Sequence, residues 1–189
     1  MAWTSSGALS TARRGLCTGG VHNAAFAAGG YSTAYENITE EFDGAAWSAG
    51  GNLVTARLYL AGCGTLTAGL SAGGTTGTWV ANCEEYDGTS WANGGSLATA
   101  RYYAAGFGTQ ISAVAAGGIN VSGLTSSEEY DGSSWSAGGT MAAQQGHGTQ
   151  VVERYLLDWF AEVLLTQSPT QHKQPLMSTT EPLGLQAAH

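Results

Sequence analysis

The sequence holds little positive charge, little proline and little cysteine, and it has no long apolar run. Only 6 of its 189 residues are Lys or Arg, against 14 Asp or Glu, a net charge of −8. Such a chain lacks a cationic stripe for a phosphate backbone, so nucleic acid is not an expected partner. No stretch of eighteen apolar residues occurs, so no membrane-spanning helix and no membrane partner is expected. The opening Met1-Ala-Trp-Thr-Ser-Ser has neither a basic n-region nor an apolar h-region, so no signal peptide is expected and the compartment is left unassigned. The three cysteines, Cys17, Cys63 and Cys83, stand at unmatched positions without metal-ligand spacing. They read as small buried thiols, not as a disulfide framework. His22, His147, His172 and His189 are scattered, and no nucleophile elbow or phosphate loop occurs. No catalytic residue, metal or cofactor is therefore expected.

What the chain does have is repetition. Glu84-Glu85-Tyr86-Asp87-Gly88-Thr89-Ser90-Trp91 recurs as Glu40-Glu41-Phe42-Asp43-Gly44-Ala45-Ala46-Trp47 and as Glu128-Glu129-Tyr130-Asp131-Gly132-Ser133-Ser134-Trp135. Trp3, Trp47, Trp91 and Trp135 are spaced 44 residues apart. The same register holds Thr-Ala-Arg at 11–13, 55–57 and 99–101, and Gly-Gly at 29–30, 73–74 and 117–118. A fixed period in this range marks a repeat architecture whose units lean on one another.

Four short extended runs fit each unit. In the third they are Arg101 to Gln110, Ile111 to Ala116, Ser127 to Asp131 and Ser134 to Met141. Turn-forming residues bound each run, and the Asp-Gly pair signals a hairpin between the third and fourth. The expected fold is all-β: a partial β-propeller of three four-stranded antiparallel blades over residues 1–142, with one N-terminal orphan strand at 3–9.

The order of an Arg, an apolar strand closed by Gly-Gly, then a Tyr and a Trp a few residues apart resembles the kelch repeat. The match covers residues 3 to 141 and is nearest to the short Gly/Ala/Thr-rich kelch-like repeats of bacteriophage and environmental bacterial proteins. The resemblance implies a propeller, with the departure that closed kelch propellers usually have six or seven blades. It also implies a binding or structural module, such as a virion appendage or surface attachment protein recognising glycan or protein. An intracellular protein–protein scaffold is the alternative, and a propeller enzyme a weaker third. The kelch-like enzyme galactose oxidase uses copper-binding Tyr and His residues that have no counterparts here.

The repeated positions read as scaffold. Trp47, Trp91 and Trp135 are expected between neighbouring blades. Arg13, Arg57 and Arg101 are expected to pair with carboxylates of the Glu-Glu-x-Asp segment in a ladder of inter-blade ion pairs. Asp43, Asp87 and Asp131 belong to the same framework. Three identical acid clusters argue against catalysis, and no oxygen-rich loop supports calcium. Recognition is expected in what differs between units, the loop from second to third strand. There Tyr31, Tyr35, Trp79 and Asn120 are the candidate ligand-binding residues.

After residue 142 the repeat stops. Residues 143–189 form a tail holding all three prolines and an amphipathic pattern that predicts a helix over 151–165. A second reading takes the tail as a fourth repeat read out of frame. Joining each codon's third base to the next codon's first two turns Asp158-Trp159 into Leu and Trp159-Phe160 into Val. Neighbouring codons permit a repeat aligned with residues 55–76. Open blade edges at the ends of three blades predict self-association.

Overall fold

A computed structural model of the chain describes residues 7–143. The candidate helix at 151–165 and residues 3–6 of the orphan strand lie outside the described residues, as does the tail from residue 144. The described residues form twelve strands in three four-stranded sheets, each an antiparallel meander. The first blade holds β1 (Cys17–Val21), β2 (Ala24–Ala28), β3 (Thr39–Phe42) and β4 (Trp47–Ala49). The second holds β5 (Ala61–Thr65), β6 (Ala68–Ala72), β7 (Cys83–Tyr86) and β8 (Trp91–Asn93), and the third β9 (Ala105–Thr109), β10 (Ser112–Ala116), β11 (Ser126–Tyr130) and β12 (Trp135–Thr140). The fold is a partial β-propeller. Register repeats with the sequence: Cys17 faces Ala28, Ala61 faces Ala72, and Ala105 faces Ala116.

Composition explains the close stacking. The innermost strands of adjacent blades meet almost backbone to backbone. A Cβ on Gly62 would stand 2.7 Å from the Cys17 Cβ, and one on Gly106 would stand 2.8 Å from Gly62 N. Blades this close need residues without bulk, which is where many of the 29 glycines are used.

The core lies between blades rather than within one. At the first junction Cys17, Phe26 and Ala28 of the first blade pack with Leu60, Tyr86 and Trp91 of the second, and Leu53 joins them. At the second, Cys63 and Leu70 meet Ala113 and Tyr130, with half-buried Trp135 against them. Trp91 sets its ring edge-on to Phe26 at 5.5 Å, and its Nε1 donates to Thr39 Oγ1 at 2.9 Å. Trp91 and Trp135 thus bridge blades. Trp47 does not among the described residues: it is half-buried, and its ring neighbour is Phe42 of its own blade, 5.2 Å away. Gly7 lies on the backbone of residues 45–47, as Gly51 lies on that of residues 89–90.

The arginine pairing needs correction. Arg13, Arg57 and Arg101 do pair with the first glutamate of the acidic segment: Glu40, Glu84 and Glu128. Each pair, however, joins the lead-in of a blade to that blade's own third strand, so no ladder runs between blades. Arg57 is fully buried and gives Nη1 to Gly73 O at 2.7 Å and Asn82 O at 2.6 Å, and Nη2 to Ser71 Oγ at 2.9 Å and Glu84 Oε1 at 3.0 Å. Glu84 Oε2 accepts from Val54 N at 2.6 Å, and Oε1 also accepts from Thr55 N at 3.2 Å. Both Nη atoms of Arg57 are thus satisfied while its buried Nε has no partner, and such a network fixes geometry more than it adds stability.

The second glutamate makes the contact between blades. The Tyr86 hydroxyl donates to Glu41 and that of Tyr130 to Glu85, each reaching back to the preceding blade. The glycine doublets make another. Gly30 and Gly74 lie at φ 106° and 99°, and their N–H groups donate at 2.8 Å to the carbonyls of Arg57 and Arg101 in the next lead-in. Only glycine takes this left-handed backbone at such close approach.

Candidate functional site

The meander decides which residues share a face. A second-to-third-strand loop leaves each blade at the end where the next lead-in enters. Three isolated bridges tie each loop to its own blade's lead-in: Arg14 with Tyr31, Leu58 with Thr75, and Tyr102 with Ile119. The opposite end carries the Asp-Gly turns.

On this loop face the structure places all four residues singled out from the sequence. Tyr31 is half-buried and meets Tyr35 edge-on at 5.6 Å, while the Arg14 guanidinium lies over the Tyr31 ring, 5.0 Å from its centroid. Tyr35 is exposed, and its hydroxyl would stand 3.8 Å from a Cβ on Gly77 in the second loop. Trp79 is 44% exposed, a large ring left in water. Asn120 has a local role instead: its Oδ1 accepts from Ser122 N at 3.3 Å, closing the turn of the third loop. Tyr31, Tyr35 and Trp79 therefore belong to one loop surface, and Asn120 shapes its edge.

Nearer the axis lies a group that the loop argument missed. A cleft of about 530 Å³ runs along the starts of β1, β5 and β9, lined at its mouth by Gly15, Leu16, Tyr59, Leu60, Tyr103 and Ala104. Tyr59 and Tyr103 stack with centroids 3.8 Å apart, and Tyr102 packs 5.0 Å from Tyr103. Both stacked residues hold a left-handed backbone, φ 57° and 59°. Bulky residues avoid this conformation, which costs about 1–3 kcal/mol each. Unit one has Gly15 at the equivalent place, φ 65°. The glycine at one copy of a repeated position was the available signal that the backbone turns left-handed in every copy.

The cluster is polarised. A hydrogen bond from the Tyr103 hydroxyl, and then Arg14, draw the Tyr59 pKa below its ordinary value against the opposing effect of burial. Burial, and then donation to Tyr59, push Tyr103 up to about 12. Arg14 is also distinct among the described cations. Arg13, Arg57 and Arg101 are each ion-paired, whereas Arg14 is exposed and rests on the Tyr31 ring. The arrangement can stack a flat or ring-shaped group and offer it a guanidinium and phenol hydroxyls.

The remaining titratable groups have structural occupations. Asp43, Asp87 and Asp131 each accept from the two backbone N–H groups that follow the Asp-Gly pair, at 2.7–2.9 Å. Those bonds hold all three carboxyls below the usual range, Asp131 at about 2. Burial pushes the thiols of Cys17 and Cys63 up to about 12 and that of Cys83 to about 11, so they stay protonated near neutrality. Among the described residues, no group of three or more His, Cys, Asp and Glu is placed to hold a metal ion.

No protein-family model matches the chain, and no curated protein does either. Among solved structures, one titled "Structure of YjhT" superposes with a TM-score of 0.58 at 12% identity. The alignment covers 70% of this chain and 47% of that one, so the chain spans about half of the YjhT chain. At this identity the likeness is one of fold.

Proposed function

We propose that the chain is a non-enzymatic, kelch-like propeller module that binds glycan on its loop face, in the manner of a surface attachment protein or virion appendage. The observation that carries this reading is the stacked pair Tyr59–Tyr103, held in a costly backbone conformation at the mouth of the axial cleft. Backbone strain of this kind concentrates where a site must be pre-formed. Aromatic faces with adjacent hydroxyl and guanidinium groups suit the apolar faces and hydroxyls of a sugar ring. Trp79 and Tyr35 extend the same surface outward.

A protein surface as ligand is the second reading, and one observation favours it. Val121 at the tip of the third loop is 86% exposed, an apolar contact that a sugar has little use for.

A glycan array separates the two. Reproducible binding by the full chain, lost in both Trp79→Ala and Tyr103→Gly, is the expected result. Tyr103→Gly suits the test because glycine takes the left-handed backbone without strain, so the fold is kept while the ring is removed. No reproducible glycan binding overturns the glycan reading and leaves the protein-surface one.

A further inference from the structure

The two end faces of the blade array match each other. We propose that a second copy of this chain joins them head to tail, making a ring of six blades from two chains. The inference is independent of what the loop face binds.

The template is the junction that the chain already makes twice. In each, the second strand of the earlier blade presents a large apolar side chain to a small residue of the later blade. Phe26 lies over Gly69, where a Cβ would come within 2.7 Å of the ring. Leu70, a smaller side chain, packs in one cluster with Ala113 at the corresponding place. Val114 is the next in this series and is half-buried on the outer face of the third blade. Ala25 stands at the matching place in the first blade. The Leu70–Ala113 pair is thus a precedent in volume for Val114 against Ala25 of a second copy.

The indole positions match as well. Each junction sets the later blade's Trp against the residue that begins the contact on the earlier blade's third strand: Trp91 on Thr39, and Trp135 beside Cys83. The third blade has Ser127 at this place, with a hydroxyl oxygen as in Thr39, and the first blade offers half-buried Trp47. Among the described residues, the apolar group on the outer face of the third blade, which includes Ala105, Ala116, Val114 and Met141, is drawn from that blade alone.

Two positions make this third junction weaker than the internal ones. Tyr86 and Tyr130 donate to Glu41 and Glu85, but exposed Glu129 would face Phe42, which has no hydroxyl. Gly62 and Gly106 let inner strands touch, but the first blade has Thr18 there. Gly7 also already lies on residues 45–47, where the register puts Gly139 of a second copy, so one of these two segments must yield. The contact is therefore reversible, and the first two shortfalls can be repaired. The aligned 70% of this chain covers 47% of the YjhT chain, so two copies of that aligned part match its length, as a closed pair would.

Sedimentation of the full chain over a range of concentrations tests this. The expected result is a reversible step from one chain mass to two. Phe42→Tyr adds a hydroxyl opposite Glu129 and should tighten the pair about tenfold or more at each junction, as one hydrogen bond to a carboxylate would. Thr18→Gly should tighten it further, and Val114→Glu should abolish it. A reversible mass of two chains with an unchanged circular dichroism spectrum separates this gain from aggregation of misfolded chain, so Phe42→Tyr decides even where Val114→Glu fails to fold. One chain mass at every concentration in both parent and Phe42→Tyr overturns the proposal. So does a Phe42→Tyr variant that pairs no more tightly, or a mass that grows past two chains.

Discussion

Cys83 stands where the preceding blade has Thr39, and the exchange leaves a bond unmade. Trp91 Nε1 has the Thr39 hydroxyl at 2.9 Å, whereas the buried Nε1 of Trp135 has no hydrogen-bond partner. The Cys83 sulfur beside it is a weak acceptor. Cys83→Thr should raise stability by about 1 kcal/mol, the net worth of one buried hydrogen bond, read as a higher denaturation midpoint with unchanged slope. Since burial holds that thiol up at about 11, no thiolate chemistry is lost with it. Residues like this were legible in the sequence by period alone: Arg, Gly-Gly, Asp-Gly and Trp mark their own equivalents. Tyr59 and Tyr103 were not, because a left-handed tyrosine breaks the propensity rule that sequence reading relies on. Their tertiary setting overrides the local preference, and the glycine at position 15 is the trace of it.

At the scale of the strand and its turn, two kinds of bond respond to pH in opposite ranges. The Asp-Gly loops need charged carboxylates. Backbone N–H groups at 134 and 133 and the Ser133 hydroxyl bring Asp131 from 3.8 to about 2, so its contribution is whole above pH 3.8 and is lost as pH falls through about 2. Asp43 and Asp87 shift the same way for the same cause, their two backbone N–H groups. The Tyr–Glu bonds between blades need neutral tyrosine. Burial first, and then the carboxylate acceptor, raise Tyr86 and Tyr130 from 10 to about 12, so their contribution is whole below pH 10 and is lost as pH rises through about 12. Glu40, lowered from 4.5 against burial by its bonds to Ser10 N and Arg13, adds to the acid loss, and the three buried thiols, raised from 9 by burial, add to the alkaline one. Denaturant midpoints followed by circular dichroism should therefore hold level between about pH 4.5 and 9 and fall on either side. The expected runs found their strands, with one shift: β9 starts at Ala105 rather than Arg101, because residues 101–104 hold the buried guanidinium and the left-handed Tyr103. The arginine pairs stayed within a blade because the lead-in, not the neighbouring sheet, brings each guanidinium to its glutamate.

For the molecule as a whole, stability is shared unequally among like parts. Both faces of the second blade are covered by described neighbours, while the first and third have one such face each. In a stack whose units are stable mainly through contact, the middle unit opens last. Amide hydrogen exchange should show β5–β7 slowest, with the corresponding strands of the first and third blades faster. Equal protection in all three would mean that blades do not depend on one another. The way each arginine ties its lead-in, doublet and third strand into one closed set also bears on how such chains change length. A segment running from one Thr-Ala-Arg to the next is a self-contained cassette. Excising the second unit, or duplicating the second or third, keeps each arginine with its own glutamate and recreates a glutamate-to-tyrosine link at the splice. Unequal recombination between copies in the same register would then add or delete a whole blade in one genetic event, with no intermediate that has to fold half a sheet.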